Sequence, residues 1–578
     1  MNNKNLLTKG IGASSGIAFA KVFLIKKPKF EINESLIEDE SAEVAKVENA
    51  IAKASAEIKK IKEIAVAKIG IEKATVFEGH VQIANDPELM NQILELVRVK
   101  KFNGAYAINE VFEQTRNLFA NMDDEYFRQR ASDIIDVKEK ILAYFLNVDL
   151  PDILSIDQKV IIVAHDLTPS ETALLDKNFV KGFATDIGGR TSHAAIMAQT
   201  MEIPAVLGLK NITDQVDNND VIAIDGEKGE VEINPTDLNV WHQKQETYLK
   251  EKEELKKFIF VIPKTLDNHT VDVVANIGKP ADVDIVDSYG ANGVGLVRTE
   301  FLYMDNSNWP TEDVQFEAYK YILSKQKDKL VIIRTLDIGG DKKLSYYRFN
   351  EELNPFLGFR AIRFCLQNPQ IFKTQIRALL RASAFGRLGI MFPMIATVDE
   401  FLAAKKVVEE TKAELKAASI EYADNVLIGM MVEIPASAFL ADTFAKYADF
   451  FSIGTNDLIQ YTLAVDRMSE NVGYLYQPNN PSVLRAIKAT VLGAKRYNRF
   501  VGMCGEMAGD INSIPLLLGI GGYGLDELSM SPSSIPRAKK LICSLKKADC
   551  IALANQALTC NTESEVNNLV KVFLKNKI

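Results

Sequence analysis

The chain has 578 residues, of which 47% are hydrophobic and 25% are charged, and 68 Lys and Arg against 77 Asp and Glu give a formal net charge of −9. At roughly 150 residues per domain, this length excludes a single compact domain, and the composition excludes a disordered or collagen-like chain. The negative balance excludes an overall basic surface for nucleic acid or anionic membrane, so local cations must hold any anionic ligand.

The sequence lacks the signals of export and of membrane insertion. Its five cysteines form no CxxC pair, which is typical of a protein from a reduced compartment. The first residues show neither a basic region with an apolar segment nor a cleavage site, and no apolar run approaches the roughly 18 residues of a membrane span. We therefore expect a cytoplasmic protein with no nucleic-acid partner and no direct membrane insertion.

Short strand-like pieces at the start of the chain give way to a long helical region. Residues 6–26 contain glycine turn signals and the strand-like segment IAFAKVFLI. The following residues, as far as Asn147, are rich in Ala, Lys, Glu and Ile. Their apolar side chains fall near heptad spacing at Ile37, Val44, Ile51, Ile58 and Ile61. The pattern predicts that residues 1–30 begin an α/β domain and that residues 31–149 are a helical subdomain inserted into it.

Strand-like segments return after the helical region. KVIIVAHD, GFATDI, DVIAID and EVEIN are separated by turns that contain Gly, Asp and Pro, so residues 150–236 are predicted to complete the α/β domain. The next segment, DLNVWHQKQETYLKEKEELKKF, is charged and helix-prone without a strong apolar face. It predicts an exposed linker helix within residues 237–262.

Eight apolar segments follow, most of them separated by enough residues for a helix. They are VVANIG, GVGLVRTEFL, LVIIRTLDIGGD, LGIMFPMI, LIGMMVEIP, FFSIGTND, FVGMCGEMAG and YGLDELS. Eight strand-then-helix repeats predict a (β/α)₈ barrel over residues 263–578, with its active site at the carboxyl ends of the strands.

Polar side chains follow five of these eight predicted strands. They are Arg298, Arg334, Glu433, Asn456 with Asp457, and Cys504 with Glu506. One charged residue at a strand end is most often a solvated rim residue, but the strand interiors do not explain five such ends. The pattern favours one shared site.

The residue types at these ends indicate an anionic substrate and a metal. Arg298 and Arg334 offer planar, permanently charged donors for phosphate or carboxylate, although salt bridges at the barrel rim would explain them equally well. Glu433 and Asp457 are plausible oxygen ligands for Mg²⁺, which takes one or two protein carboxylates. The alternative is that a neighbouring arginine neutralises each carboxylate.

Cys504 has two interpretations. An isolated cysteine on a strand is usually a small buried hydrophobe. At the mouth of a barrel, the thiol could instead act as a proton donor or a nucleophile.

The segment DIGGRTSHAAIMAQTM contains the most specific single feature outside the barrel. Gly188 and Gly189 indicate a turn, Thr191 and Ser192 are good helix N-caps, and the following residues favour a helix, which puts His193 in the first helical turn. Neutral imidazole is a nucleophile near pH 7, and a phosphate on it would lie beside the positive helix end. The other histidines are read as structural: His80, His165, His242 and His269.

Six ordered motifs resemble enzyme I of the bacterial sugar phosphotransferase system over essentially the whole chain. They are GGRTSHAAIMA, GVGLVRTEFLYM, IIRTLDIGGDK, MVEIP, FFSIGTNDLIQYTLAVDR and VGMCGEMAGD. The resemblance implies that the α/β domain swivels, that the helical insertion binds the small phosphocarrier protein HPr and that the barrel domain forms a homodimer.

The resemblance also implies a role for each motif residue. His193 would take the phosphoryl group from phosphoenolpyruvate and pass it to a histidine of HPr, starting sugar uptake. Substrate contacts would come from Arg298, Arg334, Asn456, Asp457 and Arg467, with Arg360 as a further phosphate contact. Glu433 and Asp457 match the Mg²⁺ ligands, and Cys504 matches the acid that protonates the enolate carbon to give pyruvate.

Three other interpretations stay open at this point. Pyruvate phosphate dikinases and phosphoenolpyruvate synthases share the phosphohistidine unit and the barrel, but they carry a large nucleotide-binding domain for which the helical region is too short. A degenerate relative could bind a partner without catalysis, although it would be expected to lose site residues. A paralogue devoted to nitrogen regulation usually carries an extra N-terminal sensory domain.

Overall fold

The computed structural model describes residues 6–26, 28, 30–69, 75–120, 125–189, 192–218, 220–304, 306, 308–340, 342, 344, 346–467, 469, 471–575 and 577. The chain divides into two compact units, Met1–Glu251 and Lys252–Ile578. Among these residues, no helix is both long and apolar enough to cross a membrane.

The first unit is built on an eight-stranded sheet. Its strands are β1 (Leu6–Lys9), β2 (Ile11–Ser14), β3 (Ile17–Ile25), β4 (Val160–Ala164), β5 (Val180–Thr185), β6 (Ala205–Leu207), β7 (Val221–Asp225) and β8 (Glu230–Ile233). Their order is β1-β8-β7-β3-β4-β5-β6-β2, with β3 to β6 parallel and the remaining pairings antiparallel. Every residue of β4 is buried, as expected of a parallel strand covered on both faces.

Five helices inserted between β3 and β4 form a bundle. They are α1 (Glu40–Ile69), α2 (Thr75–Ala84), α3 (Pro87–Arg98), α4 (Gly104–Ala120) and α5 (Glu125–Leu146). Val47 and Ile58 of α1, Ile108 of α4 and Val137 of α5 are fully or almost fully buried in one core. The heptad pattern that predicted these helices starts too early, because Ile37 lies before α1.

Three more helices complete this unit. They are α6 (Pro169–Ala173), α7 (His193–Met201) and α8 (Leu238–Lys256). The indole Nε1 of buried Trp241 donates to Glu232 Oε2 at 2.6 Å and Gln245 Nε2 donates to the carbonyl of Ile17 at 2.9 Å, so α8 is fixed to the sheet near its start. The boundary between the two units falls inside α8.

The second unit is a closed barrel of eight parallel strands, as predicted. They are β9 (Asp272–Ile277), β10 (Val294–Val297), β11 (Val331–Arg334), β12 (Leu388–Phe392), β13 (Leu427–Val432), β14 (Phe450–Ile453), β15 (Phe500–Met503) and β16 (Glu527–Met530). Apolar side chains fill its interior, among them Ile332, Met391, Met431 and Phe450. Each strand is a short run that is buried on both faces, which is why the eight strands were recognisable as apolar segments.

Helices follow most of the barrel strands. They are α9 (Val283–Val286), α10 (Phe301–Met304), α11 (Glu312–Gln326), α12 (Ile362–Gln367), α13 (Pro369–Ala382), α14 (Val398–Ala417), α15 (Pro435–Phe439), α16 (Ala441–Phe444), α17 (Thr455–Leu463), α18 (Pro481–Lys495), α19 (Ile514–Gly519), α20 (Ile535–Ser544), α21 (Lys547–Ala557) and α22 (Glu563–Leu574). Because the strands are parallel, the residues directly after them share one end of the barrel, and this end is called the mouth below.

Candidate active site

The predicted site residues of the barrel lie at or just beyond the strand ends. Arg334 is the last residue of β11, and Arg298, Glu433 and Cys504 each directly follow a strand. Asn456 and Asp457 are in the first turn of α17, and Arg360 and Arg467 lie in loops of the same end. The closed barrel therefore brings these side chains to the mouth.

Arg334 is held between two buried carboxylates. Its Nη2 forms an ion pair with Glu300 Oε1, and its Nη1 lies 2.9 Å from Asp337 Oδ2. Lys342 Nζ lies 2.7 Å from the same Glu300 oxygen and 3.4 Å from Asp337 Oδ2. Burial would raise the pKa of both carboxylates, but the charges of Arg334 and Lys342 outweigh it and hold each pKa below its ordinary value. Both carboxylates therefore remain ionised.

Arg360 joins this cluster from the other side of Asp337. Its Nη2 donates to Asp337 Oδ1 at 2.9 Å and lies 3.4 Å from Asp457 Oδ2. Gly339 permits this packing: it has a φ of +100°, and a Cβ there would lie 2.7 Å from Arg360 Cβ. The glycine of the IGGD motif thus allows the two motifs to meet.

Glu433 and Asp457 form a buried acidic pair with few donors. Glu433 Oε1 accepts from the backbone N–H of Met394 at 2.6 Å. Burial and the charges of Asp457 and Asp337 raise the pKa of Glu433 to about 8, with Arg334 and Arg360 opposing the shift. Asp457 Oδ1 is buried without a hydrogen-bond partner among the described residues, and Arg467 Nη1 is 3.9 Å away from it. The arginines near this pair face Asp457, whereas Glu433 has no arginine within ion-pair distance among the described residues, so its charge is left largely uncompensated.

Cys504 and Arg298 line a cavity of about 410 Å³ at the mouth. The cavity also contacts Asn276, whose Nδ2 donates to the carbonyl of Cys504 at 3.0 Å. Arg298 is exposed, and no described carboxylate lies within ion-pair distance of it. Burial raises the pKa of the Cys504 thiol to about 11, so the sulfur carries its proton near neutral pH. That state suits a proton donor rather than a thiolate nucleophile.

Asn456 is tied to the loop after β15. Its Oδ1 accepts from the backbone N–H of Glu506 at 3.3 Å, and its Nδ2 lies 3.5 Å from Glu506 Oε1. These contacts join the segments that follow β14 and β15, and they fix the amide of Asn456 beside Glu506.

His193 is the first residue of α7 in the other unit. Ser192 is the N-cap, as predicted, and its Oγ accepts from the backbone N–H of Ala195 at 3.3 Å. Thr191, the other predicted cap, lies outside the described residues. Ala194, Ala195 and Ala198 are buried in the core beside the sheet, which anchors α7 with His193 at its positive end.

The sequence prediction missed the residues that hold Arg334 and Arg360. These residues are Glu300, Asp337 and Lys342, which lie within the motifs RTEF and TLDIGGDK, two to eight residues from an arginine that was singled out. Their position shortly after a predicted strand could have identified them as residues of the mouth. Tyr461, whose hydroxyl accepts from Arg360 Nη1 at 3.4 Å, was missed too because it lies inside a helix.

Comparisons with known proteins were made for the whole chain. Three family models match: "PEP-utilising enzyme, PEP-binding domain" over residues 252–547, "PEP-utilising enzyme, N-terminal" over 9–130 and "PEP-utilising enzyme, mobile domain" over 156–229. The phosphoenolpyruvate-protein phosphotransferase of Mycoplasma capricolum is 54% identical, covering 98% of this chain and 99% of the relative. The protein of the same name from Staphylococcus carnosus is 50% identical with the same coverage.

One solved structure is described as a solution structure of an enzyme I protein. It is 42% identical, covers 42% of this chain and 99% of its own, and has a TM-score of 0.39.

Proposed function

The chain belongs to the phosphoenolpyruvate-utilising enzymes and, within them, to the phosphoenolpyruvate-protein phosphotransferases, and on this premise we propose how its residues carry out the reaction. The enzyme moves the phosphoryl group of phosphoenolpyruvate to one of its own histidines and then to a carrier protein, releasing pyruvate. The observation that carries the residue assignments is the convergence of arginines, acidic pair and protonated thiol at one mouth. Pyruvate release in the presence of phosphoenolpyruvate, Mg²⁺ and HPr tests the activity.

In this proposal the substrate is bound by five residues at the mouth, which are Arg298, Arg334, Asn456, Asp457 and Arg467. Guanidinium groups neutralise charge on the equatorial phosphoryl oxygens and on the carboxylate of phosphoenolpyruvate. Arg298 supports this role because it is exposed beside the cavity and carries no described ion pair. Arg360 is buried and contacts Asp337 and Asp457, so we assign it an indirect role in substrate binding.

His193 is the nucleophile in this proposal. Its nitrogen forms the N–P bond as the bond between phosphorus and the enol oxygen breaks, and the electron pair stays on that oxygen. The phosphorylated ring would lie at the N-terminus of a nine-residue helix, where backbone N–H groups favour negative charge.

Cys504 completes the reaction by donating a proton. The enolate oxygen re-forms its carbonyl while the methylene carbon takes the thiol proton, which gives pyruvate and a thiolate. Because the pKa of this thiol is raised to about 11, the thiolate regains a proton from solvent once pyruvate leaves.

The members of this family generally depend on a metal, and we propose Mg²⁺ held by Glu433 and Asp457. Mutual repulsion of the two carboxylates and the unpartnered Asp457 Oδ1 fit a hard divalent cation. Among the described residues, no group of three or more His, Cys, Asp or Glu is arranged as a metal cage, so water and substrate oxygens would complete the shell. When bound, the ion neutralises charge on the transferring phosphoryl group.

Replacing Glu433 with Gln should stabilise the metal-free protein at high pH. An acid whose folded pKa of about 8 exceeds its ordinary 4.5 stabilises the fold fully below pH 4.5 and loses that contribution as pH rises to 8. In EDTA, we expect the Tm of E433Q to match the parent near pH 4.5 and to exceed it by a few degrees at pH 8.5.

Addition of Mg²⁺ at pH 8.5 should raise the Tm of the parent and leave that of E433Q nearly unchanged. Differential scanning calorimetry measures both effects. A gap between the two proteins that is independent of pH, or an equal response to Mg²⁺, would contradict the assignment of Glu433 as a ligand.

We assign the carrier protein HPr to the helical subdomain, residues 31–149. Residues 1–30 and 150–236 then form the phosphohistidine domain, residues 237–262 the linker helix and residues 263–578 the substrate-binding barrel. The helical bundle has its own core, separate from those of the sheet, which supports its treatment as a subdomain. We propose that the protein acts in the cytoplasm, where phosphoenolpyruvate is found.

We propose that the barrel unit forms a homodimer through loops at its mouth. The segments after β11, β13 and β14, including the end of α15, expose apolar side chains that would cost less free energy if covered. The members of this mouth patch are Leu353, Leu357, Phe439, Leu440 and Tyr474. Leu353 is 100% exposed and Phe439 and Tyr474 are more than 70% exposed, so the patch is a strong candidate for a subunit contact.

A charge placed in the mouth patch should dissociate the dimer. We expect Phe439→Glu to weaken self-association at least about tenfold, because the carboxylate would be desolvated in the interface. Sedimentation velocity across a concentration series measures this. Val572→Glu is the control, because Val572 is an exposed residue of α22. A dimer that survives F439E, or one that V572E disrupts equally, would move the interface elsewhere.

A further inference from the structure

Three charged residues at the mouth have no role in the reaction described above. Glu300 and Asp337 are buried carboxylates, 6% and 1% exposed, and Lys342 lies between them. All three contact Arg334 or share a partner with it.

We propose that Glu300 is a positioning residue, which fixes the guanidinium of Arg334 and the ammonium of Lys342 in the orientation required for phosphoryl transfer; this inference rests on the proposed function. Glu300 itself would not touch the substrate, because its charge is of the same sign. It acts through the two cations that it holds.

The geometry ties the segment after β10 to the end of β11. One oxygen, Glu300 Oε1, is shared by Arg334 Nη2 and Lys342 Nζ. The preceding residue, Thr299, donates its hydroxyl to the backbone carbonyl of Arg334 at 3.0 Å. Adjacent residues thus fix both the backbone and the side chain of Arg334. A guanidinium held at two nitrogens by carboxylates loses its freedom to rotate, which keeps its remaining N–H groups aimed in one direction.

The two carboxylates, Asp337 and Glu300, differ in the number of cations that they contact. Asp337 engages three cations, since it contacts Arg334, Arg360 and Lys342. Glu300 engages Arg334 and Lys342 only, and its second oxygen, Oε2, is buried without a hydrogen-bond partner among the described residues. Loss of Asp337 would release the whole cluster, whereas a change at Glu300 acts on Arg334 and Lys342 alone.

The charges explain why a carboxylate is needed. The cations Arg334, Arg360 and Lys342 are balanced by Glu300, Asp337 and the Asp457 that pairs with Arg360, so removal of one carboxylate charge leaves a net positive charge. Without the charge of Glu300, Arg334 and Lys342 would repel each other across a shared buried site and turn towards the other carboxylates, Asp337, Glu433 and Asp457. The substrate would still be attracted, but the donors of Arg334 and Lys342 would no longer be oriented correctly towards its phosphoryl group.

The test is the single-turnover phosphorylation of the full-length chain by phosphoenolpyruvate with Mg²⁺, measured by rapid quench over a range of substrate concentrations. We expect Glu300→Gln, which keeps the side-chain length and removes the charge, to lower the maximal rate roughly 10- to 100-fold. The half-saturating concentration should stay within about threefold of that of the parent, because binding charge is retained. Rates are normalised to the folded fraction measured by circular dichroism.

Glu312→Gln is the matched control, since Glu312 also holds two arginines, Arg377 at 2.9 Å and Arg381 at 2.6 Å, but between α11 and α13. Its maximal rate should equal that of the parent. If E300Q fails to fold, Glu300→Asp tests the same point, because the shorter carboxylate keeps the charge but cannot reach both cations, and its maximal rate should fall similarly.

Three results would overturn the inference. They are a parent-like rate in the folded Glu300 variant, an equal loss in E312Q, and a raised half-saturating concentration without a loss of rate. If the parent itself takes up no phosphoryl group, the proposed function fails instead, so the two failures are distinguishable.

Discussion

Replacing His193 with Gln is expected to abolish turnover of phosphoenolpyruvate, with pyruvate release falling at least roughly 10⁴-fold. Glutamine approximates the size of imidazole but has no nucleophilic lone pair at neutral pH, so no N–P bond can form. The substitution lies in the first turn of α7, and the buried anchors of that helix, Ala194, Ala195 and Ala198, are untouched. The loss should therefore occur without a change in Tm.

A coupled assay of pyruvate release with HPr and Mg²⁺ measures this loss. His165→Gln is the control, because its ring belongs to the same unit and is 69% exposed. We expect that variant to keep activity within about threefold of the parent. Substantial turnover by H193Q would mean that another residue accepts the phosphoryl group, and the roles assigned at α7 would have to be abandoned.

The second large effect is expected at Cys504. Alanine at this position removes the proton donor but leaves Arg298, Arg334 and the acidic pair in place. Pyruvate formation should fall roughly 10²- to 10⁴-fold, which is the usual contribution of a positioned general acid. The affinity for phosphoenolpyruvate, measured by calorimetric titration, should change by less than about threefold.

Cys550→Ala serves as the matched control, since this thiol is also buried and free but lies in α21. It should resemble the parent in pyruvate formation and cost a similar amount of stability to C504A. Equal losses of binding and of pyruvate formation in C504A would show that the Cys504 thiol supports packing rather than proton transfer.

The barrel could be predicted from the sequence because each strand is buried on both faces. Segments such as LGIMF and FFSI are short apolar runs with helices between them, and no polar alternation obscures them. The placement of Arg298, Arg334, Glu433 and Cys504 at one mouth follows from the parallel barrel alone. The roles of these residues came from the resemblance of their motifs to enzyme I, not from their spacing.

The ion-pair partners within the mouth could not be predicted in the same way. Whether Arg334 pairs with Glu300, with Asp337 or with Glu433 depends on the path of the loop between β11 and α12, which no periodic pattern describes. The choice between a metal-binding pair and two arginine-neutralised carboxylates was open for the same reason. Arg360 and Arg467 lie 3.4 and 3.9 Å from the two oxygens of Asp457, as the second alternative expects. We propose the metal-binding pair because Glu433 accepts from a backbone N–H and Asp457 Oδ1 has no hydrogen-bond partner among the described residues.

The boundaries of the domains rest on weaker signals than the barrel does. The heptad pattern starts at Ile37, before the first turn of α1, because an isolated apolar residue next to a helix is indistinguishable from one inside it. The linker helix is charged almost throughout, and only buried Trp241 marks the part that packs on the sheet.

The central claim is that His193 carries the phosphoryl group, and intact-mass analysis of the purified chain tests it most directly. After incubation with phosphoenolpyruvate and Mg²⁺, we expect one phosphoryl adduct on the parent, none on H193Q, and loss of the adduct when HPr is added. ATP without phosphoenolpyruvate should give no adduct. An adduct that persists on H193Q, or one that forms from ATP alone, would contradict the account.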